Sequence, residues 1–398
     1  MVKIRITKTI DIPDPLSLEL YRKAPGLGPR ILFFSGGTAL REVSHHLVHY
    51  THNSIHLITP FDSGGSSAHL RKAFRMLAVG DLRNRLMALA DHSVKGQPEI
   101  FDLFAHRFSK QGGQKELGRQ LKAMVDGRHQ MVLSVEEPMR RLIRNHLGYF
   151  WDHMPRSFDL RGANIGNLIL AGGYLNNSRH IDPVIYLFSR LVLVRGVVRP
   201  ISSEHLHLVG RLEDGRVVVG QHRLTGRDGS QLSAPIKELY LSRRKRDPAP
   251  VTLDLRDKVR ELILKADLIC YPIGSFYTSV VANLLPRGVG QAVSETEVPK
   301  VYVPNTGVDS EEWGLDLPGR VRTLLGYLRE SSTGPEPVPV DRLLHHVLVD
   351  TVTRPFSNRE LRQTEELGLK IIELPLCSKE TAPLLDPELL ASALVSLA

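Results

Sequence analysis

The segment Ile31-Leu32-Phe33-Phe34-Ser35-Gly36-Gly37-Thr38 sets the architecture of this chain, because it joins a wholly apolar run to a glycine turn. Four successive apolar residues predict a strand that is buried on both faces, as strands inside parallel sheets are. A helical pattern follows over residues 39 to 50, and a second apolar run covers residues 55 to 59. This strand–helix–strand order predicts two parallel strands joined by a right-handed crossover.

Strand and helix patterns alternate again between residues 253 and 374. Repeated units of this kind predict an α/β fold, a Rossmann-like and mostly parallel sheet with helices on both faces. Two short runs around Glu213-Asp214-Gly215 predict a small β-hairpin segment. We therefore expect an irregular, proline-rich lead-in over residues 1–30 and a single α/β domain over residues 31–398, with a helical insertion at about 97–151.

The composition is that of an ordinary globular protein, with 42% hydrophobic and 24% charged residues among 398. Two cysteines are too few for a disulfide framework, and no apolar run is long enough to span a bilayer. We expect a cytoplasmic protein without a membrane partner. The net charge of +9 favours anionic ligands. Nucleic acid is not expected as the main ligand, since only 6% of residues are aromatic and no nucleic-acid-binding motif is present.

The first glycine turn, Gly36-Gly37-Thr38, follows the first predicted strand. Loops at the carboxyl ends of parallel strands gather where ligands bind, and glycines let backbone N–H groups approach an anion. The turn lacks the G-x-G-x-x-G spacing and the lysine of a P-loop. A tight turn and a phosphate-binding loop are therefore equally compatible with it.

A second loop, Asp62-Ser63-Gly64-Gly65-Ser66-Ser67, follows the second predicted strand. Asp62 is a candidate Mg²⁺ ligand at a strand end, and Gly64, Gly65 and Ser66 are candidate phosphate contacts. Arg71, one helical turn further on, is a candidate partner for a phosphate group. The alternative is a helix cap plus a turn, which needs no ligand.

The third loop is Gly80-Asp81-Leu82-Arg83-Asn84. Asp81 and Arg83 are candidate catalytic groups, a second carboxylate and a guanidinium, and Asn84 is a candidate ligand contact. Asp81 as a simple cap of the following helix is an equally good interpretation.

Further candidates for binding the ligand lie later in the chain, beside predicted strand ends and helix starts. Amide side chains suit ribose or base edges, and hydroxyls clustered at a helix start suit an oxyanion. These candidates are Asn164, Gly166, Asn167, Gly274, Ser275, Tyr277, Thr278 and Asn305.

Together these segments resemble the 2-phospho-L-lactate transferase (CofD-like) family, and within it the YvcK-like, UDP-sugar-binding branch. The similar segments are Ser35-Gly36-Gly37-Thr38, Asp62-Ser63-Gly64-Gly65-Ser66-Ser67, Gly80-Asp81-Leu82-Arg83-Asn84, Ile165-Gly166-Asn167-Leu168 and Gly274-Ser275-Phe276-Tyr277-Thr278-Ser279. They occur in order over residues 31 to 374, nearly the whole chain. The resemblance implies a Rossmann-like fold that binds a nucleoside-diphosphate compound at the strand ends.

Two departures from the family pattern bear on chemistry. Gly37-Thr38-Ala39 stands where the family usually places Thr-Gly, and Asp62-Ser63 stands where relatives often carry two adjacent aspartates. Ser63 therefore removes a candidate metal ligand, which weighs against Mg²⁺-dependent transfer.

The sequence leaves two functions open. The first is a regulatory or metabolic protein that binds a nucleotide sugar or a similar diphosphate. The second is a Mg²⁺-dependent transferase that moves a phosphoryl-linked group to an acceptor hydroxyl and releases a nucleoside monophosphate, with Asp62 binding the metal and Asp81 and Arg83 assisting. In both, the partner is a small-molecule nucleotide, and a homo-oligomer stays open.

Overall fold

The computed structural model describes residues 9–91, 98–226, 229 and 231–398. Within these residues the strands are β1 (Ile31–Ser35), β2 (Ile55–Ile58), β3 (Val197–Pro200), β4 (His207–Leu212), β5 (Val217–Val219), β6 (Ile236–Ser242), β7 (Leu268–Tyr271), β8 (Lys300–Tyr302), β9 (His346–Asp350) and β10 (Lys370–Leu374).

The helices over the same residues precede, separate and follow these strands. They are α1 (Pro15–Lys23), α2 (Arg41–Leu47), α3 (Gly65–Phe74), α4 (Gly80–Ala88), α5 (Pro98–Ala105), α6 (Gln114–Val125), α7 (Gln130–Leu133), α8 (Met139–His153), α9 (Ile165–Asn176), α10 (Asp182–Leu191), α11 (Gln221–Leu224), α12 (Asp257–Leu264), α13 (Val289–Ser294), α14 (Leu317–Glu330), α15 (Val340–Leu343), α16 (Asn358–Glu365) and α17 (Pro387–Leu397). Short 3₁₀ turns occur at Pro25–Leu27, Val281–Asn283 and Ser310–Glu312, and a π-helical turn at Phe276–Val280.

Seven strands form one parallel sheet in the order β10-β9-β8-β7-β1-β2-β3. β1 is buried along its whole length, because its alternate side chains enter two different cores. Leu32 and Phe34 pack in one core, while Ile31 and Phe33 pack in the other. Helices therefore cover both faces, and the predicted α/β fold class is confirmed.

The predicted hairpin is part of a larger element than expected. β4 and β5 pair antiparallel around the Glu213-Asp214-Gly215 turn, but β6 pairs with the other edge of β4. The result is a three-stranded antiparallel sheet in the order β5-β4-β6. Prediction of a hairpin alone was incomplete, since β6 lies far from the turn signal that identifies the other two strands.

Two further segments bear on the predicted division of the chain. The helices α5, α6, α7 and α8 lie in the predicted insertion, whose first residue is outside the described residues. The lead-in is not wholly irregular, because α1 begins at Pro15 with the Asp14 side chain accepting from the N–H groups of Leu16 and Ser17. Proline is favoured in the first turn of a helix, so Pro15 starts this helix rather than breaking it. None of the helices in the described ranges combines the length and apolar character needed to cross a bilayer.

Candidate functional site

The order of strands reverses at β1, which has β2 on one side and β7 on the other. In open parallel sheets, ligands bind in the crevice at such a switch point, beyond the carboxyl ends of the strands. The loops after β1 and β7 approach closely here, because a Cβ built at Gly36 would lie 2.4 Å from Ser279 Oγ. Only glycine leaves this space open without displacing a neighbour.

Asp81 lies directly against the first glycine loop. A Cβ built at Gly37 would be 2.2 Å from Asp81 Oδ1 and 2.9 Å from Asp81 Cα. α4 begins at Gly80 with Val79 as its N-cap, so Asp81 occupies the first turn of the helix. The alternative in which Asp81 merely caps the helix does not match this position.

Asp62 lies on the other side of Gly80. Its Oδ1 accepts a hydrogen bond from the N–H of Gly64 at 3.0 Å, and its Oδ2 lies 3.5 Å from a Cβ built at Gly80. Asp62 thus lies next to Gly80, the residue that precedes Asp81 in α4. Asn167 reaches the same place, with its Nδ2 3.8 Å from that Cβ and its buried Oδ1 without a hydrogen-bond partner. Across the described residues, no group of three or more His, Cys, Asp or Glu side chains is placed to hold a metal ion.

Ser63, which stands where relatives often carry aspartate, contacts the segment after the small sheet. Its Oγ lies 2.7 Å from His222 Nδ1 and accepts from the N–H of His222 at 3.3 Å. The side chain thus ties the loop after β2 to α11. Sequence reasoning missed His222 because the apolar run before it belongs to the predicted hairpin and not to the parallel sheet.

A cavity of about 300 Å³, which we call the basic cavity, opens beside Gly37 and Thr38. Three arginines line it, Arg41, Arg83 and Arg107, together with Asn84 and the carboxylate of Asp102. Burial lowers the pKa of Arg83 to about 10, and the positive charges of Arg107 and Arg41 add to that shift. A group of guanidiniums that repel one another is stabilised by an anion placed among them.

Arg85 and Arg71 stabilise the first two glycine loops by donating hydrogen bonds to main-chain oxygens. Arg85 is fully buried and donates to the carbonyl oxygens of Leu40, at 2.7 Å, and Gly36, at 3.0 Å. Arg71 donates from Nη1 to the carbonyl oxygens of Phe61, at 2.8 Å, and Asp62, at 2.9 Å, and from Nη2 to the carbonyl oxygen of Leu206. Main-chain oxygens therefore accept from both Nη groups of Arg71, which supports a structural role, while its role as a phosphate partner stays a prediction.

Asn164 and Gly166 have structural roles that the sequence did not reveal. The Asn164 side chain caps α9 by accepting from the N–H of Asn167, and its Nδ2 donates to three carbonyl oxygens of the segment 104–106. Gly166 allows close helix packing, since a Cβ there would lie 2.7 Å from the carbonyl oxygen of Phe104. Contact of these two residues with the ligand stays a prediction, beside the structural roles that the hydrogen bonds and packing give them.

Carboxylates of the chain itself occupy the predicted oxyanion site after β7. Glu311 accepts from the Thr278 N–H at 2.8 Å and from Thr278 Oγ1 at 2.6 Å, while Asp309 accepts from the Phe276 N–H at 2.8 Å. Burial, with Asp309 adding, raises the pKa of Glu311 to about 7. Tyr277 is buried and donates to the carbonyl oxygen of Ile236. Tyr277 and Thr278 thus have structural partners within the protein, and their contact with a ligand stays a prediction.

Two hydrogen bonds join Asn305 to Gly274. The N–H of Gly274 donates to Asn305 Oδ1 at 2.9 Å, and Asn305 Nδ2 donates to the carbonyl oxygen of Gly274 at 2.8 Å. Gly274 has φ +141°, which side chains disfavour. Asn305 therefore fixes the loop after β7, next to the half-buried Ser275.

The structure thus divides the predicted site residues into two groups. Those at the switch point or in the adjoining cavity and loops are Gly36, Gly37, Thr38, Asp62, Gly64, Gly65, Ser66, Asp81, Arg83, Asn84, Asn167, Gly274 and Ser275. Those whose side chains or Cβ positions are occupied by the protein itself are Arg71, Asn164, Gly166, Tyr277, Thr278 and Asn305. Arg83 and Asn84 share both features, because they line the cavity while Arg83 Nη1 donates to the carbonyl oxygen of Phe104 at 3.3 Å and its Nη2 donates to Asn84 Oδ1. Sequence reasoning missed Arg41, Arg85 and Arg107, which no local motif marks.

Comparisons with known proteins identify similar sequences and a similar fold. A sequence model described as 2-phospho-L-lactate transferase CofD matches residues 31–378. A gluconeogenesis factor of Bacillus subtilis is 30% identical over 280 residues, which cover 70% of this chain and 68% of that protein. A putative gluconeogenesis factor of Thermotoga maritima is 26% identical over 332 residues, covering 83% and 81%. A crystal structure of an upf0052 family member from Bacillus halodurans has the same fold, with a TM-score of 0.65, 24% identity and coverage of 92% and 98%.

Proposed function

The chain belongs to the 2-phospho-L-lactate transferase CofD family, and from this premise we propose that it binds a nucleoside-diphosphate compound, such as a nucleotide sugar, at the switch point of the sheet. The diphosphate would lie over Gly36-Gly37-Thr38 and extend into the basic cavity. The role would be regulatory or metabolic, since relatives carry the name gluconeogenesis factor.

One observation carries this proposal, the convergence of three guanidiniums on the first glycine loop. Arg41, Arg83 and Arg107 line one cavity with Gly37 and Thr38, against a single carboxylate, Asp102, among the lining residues. Charge-assisted bonds from arginine to phosphate are short and strong, and a half-enclosed cavity screens them less than open water does. A diphosphate supplies the negative charge that this cavity lacks.

Calorimetry with UDP-N-acetylglucosamine, UDP, GDP and ADP tests the proposal. Arg41→Met is the most informative variant, because the Arg41 side chain is exposed and its one ion pair, at 3.6 Å, is with the neighbouring Glu42. We expect affinity to fall about tenfold or more, since a hydrogen bond to a charged group contributes roughly 1.5–3 kcal/mol. The unfolding free energy should change by less than about 0.5 kcal/mol.

Arg119→Met is the matched control, because Arg119 is an exposed arginine in α6 that pairs with Glu116 one turn away. It should leave affinity unchanged. The proposal fails if no nucleoside diphosphate binds at millimolar concentration. It also fails if Arg41→Met and Arg119→Met weaken binding equally, because the effect would then reflect net charge alone.

A second function, transfer of the phosphoryl-linked group, is favoured by Asp62, whose Oδ2 lies 3.5 Å from a Cβ built at Gly80, together with Asp81, the next residue in the chain. Asp62 and Asp81 fit a Mg²⁺ ion that takes one or two carboxylates from the protein and its remaining ligands from phosphates and water. The ion would neutralise charge on the phosphates. Arg83 would stabilise the charge that develops as an acceptor hydroxyl attacks phosphorus and a nucleoside monophosphate leaves.

Phosphorus NMR over a panel of hydroxyl acceptors distinguishes the two functions. Transfer predicts monophosphate release that depends on Mg²⁺ and is lost in Asp62→Asn, whereas binding alone predicts an intact diphosphate. An Asp62→Asn variant with full turnover would remove Asp62 from the metal-binding role.

A further inference from the structure

A second and larger cavity lies beyond the ends of β8 and β9. Its volume is about 810 Å³, within the range of small-molecule pockets. It is lined by residues of the segment 305–313, by the turn at Pro355-Phe356 and by Leu232. No residue of the basic cavity takes part in it. We call it the tryptophan cavity, after Trp313.

Aromatic and apolar side chains are exposed around this cavity. Trp313 is 51% exposed, Val308 is fully exposed, and Phe356 is half-buried with the guanidinium of Arg320 5.6 Å from the centre of its ring. Exposed apolar groups that surround a cavity, rather than scattering singly, mark a binding surface. A planar ligand would cover the indole ring and gain stacking energy from it.

The tryptophan cavity also contains a pair of polar side chains, Arg320 and Glu312, that can orient a polar ring. Arg320 Nη2 lies 3.2 Å from Glu312 Oε2, with the arginine side chain 14% exposed and the glutamate side chain 3% exposed. Gln231 adds an amide at the edge. Donors and acceptors beside an aromatic surface suit a nucleobase, which presents both kinds of group on one edge.

Through Asn305, the tryptophan cavity borders the loop after β7. Asn305 lines it and, through its paired hydrogen bonds with Gly274, forms the wall that faces the loop after β7. β8, β7 and β1 are neighbours in the sheet, so the loops after β8 and β1 are separated by two strand spacings, ~10 Å. The ribose and diphosphate of one nucleotide can bridge this gap.

We propose that the tryptophan cavity binds the base of the nucleotide, stacked on Trp313, while its phosphates extend over the glycine loop to the basic cavity. This inference rests on the proposed function, since it assigns the other end of the same ligand. It places the base on the β8 side of the switch point and the attached group on the β2 side.

Fluorescence tests the inference directly, because the chain has two tryptophans, Trp151 and Trp313. In a Trp151→Phe variant, titration with UDP, GDP, ADP and CDP should change the Trp313 emission, whereas ribose 5-phosphate should not. Calorimetry on Trp313→Ala should show an affinity about tenfold weaker, as expected for loss of a stacked base. Trp313→Phe should recover most of that loss.

Tyr186→Ala is the control, because Tyr186 is an aromatic side chain of similar exposure, 57%, but it belongs to α10 and does not line the tryptophan cavity. It should not change the affinity. Nucleoside diphosphates that bind without altering Trp313 emission, and equally well to Trp313→Ala, would overturn the inference and leave the proposed function standing. Free uridine, guanosine or adenosine that alters Trp313 emission, without any diphosphate binding more tightly than its nucleoside, would support the cavity and overturn the proposed function. No response to any of these ligands would overturn both.

Discussion

Arg71→Met should destabilise the protein rather than remove a contact to the ligand. The Arg71 side chain is 4% exposed, and its guanidinium donates to the carbonyl oxygens of Phe61, Asp62 and Leu206. Methionine has a similar length but no donor. The three oxygens lie in loops, and none of them accepts another main-chain hydrogen bond outside the helices and strands. The substitution therefore leaves three acceptors in or near the protein interior without a donor.

The expected magnitude follows from two opposing effects. Each lost hydrogen bond from a charged donor contributes roughly 1.5–3 kcal/mol. Against this, burial lowers the pKa of Arg71 from 12.5 to about 10, so removing the buried charge returns roughly 3 kcal/mol. The net loss in unfolding free energy is about 2–6 kcal/mol.

Urea unfolding followed by far-UV circular dichroism measures this loss, and calorimetry measures nucleotide affinity in the same samples. Arg71→Lys should fall between the wild type and Arg71→Met, because an ammonium keeps the charge and can reach some of the oxygens. If Arg71→Met unfolds within about 1 kcal/mol of the wild type but loses nucleotide affinity, Arg71 contacts the ligand, and the assignment of its guanidinium to the carbonyl oxygens is wrong.

Two further predictions concern close packing and pH. Gly37→Ala should cost about 2–3 kcal/mol of unfolding free energy, because its Cβ would meet Asp81 Cα at 2.9 Å, whereas Gly36→Ala should cost roughly 1 kcal/mol, because it meets the rotatable hydroxyl of Ser279. Burial raises the pKa of Glu312 from 4.5 to about 8. Its contribution to stability is thus fully present below pH 4.5 and is lost as pH rises through 8. Relative to Glu312→Gln, the wild type should lose on the order of 2–3 kcal/mol between pH 6 and pH 9.

Urea unfolding checks both predictions. Equal costs for Gly36→Ala and Gly37→Ala would show that backbone contact with α4 does not limit the first loop. For Glu312, thermal unfolding at pH 6, 7, 8 and 9 provides a second measure. A stability difference between wild type and Glu312→Gln that does not vary with pH would mean that Glu312 is ionised throughout this range in the folded protein.

The sequence predicts the sheet well, because the signal is local. Apolar runs followed by glycine turns identify β1, β2 and β7, and the repeated crossover fixes their parallel direction. The edge strand β3 has no such signal, since Val197-Val198 continues directly into Arg199-Pro200. A central strand is buried on both faces, so a continuous apolar run identifies it in the sequence. The edge strand β3 forms by pairing with its single neighbour, β2, and has no such run.

The sequence cannot tell which polar side chains at a helix start face the ligand. Hydroxyl-rich Ser275 to Ser279 would look the same whether its donors met a phosphate or a carboxylate of the chain. The structure shows the second case, with Glu311 accepting from Thr278 across 33 residues of chain. Asn164 gives the same lesson, because its amide serves both as a helix cap and as a donor to the segment 104–106. Long-range partners decide these roles, and no local motif encodes them.

The acidic segment after β8 also bears on the direction in which a nucleotide would lie. Asp309 and Glu311 already occupy the N–H groups of Phe276 and Thr278, so these donors are not offered to phosphates. As pH rises through the pKa of Glu312, about 8, this carboxyl group ionises. Its negative charge would then repel phosphates as well. The arginines of the basic cavity act in the opposite sense on the far side of β1. Phosphates of a nucleotide would therefore be driven away from the tryptophan cavity and towards the glycine loop, and the uncharged base would be the end of the ligand that the acidic side accepts.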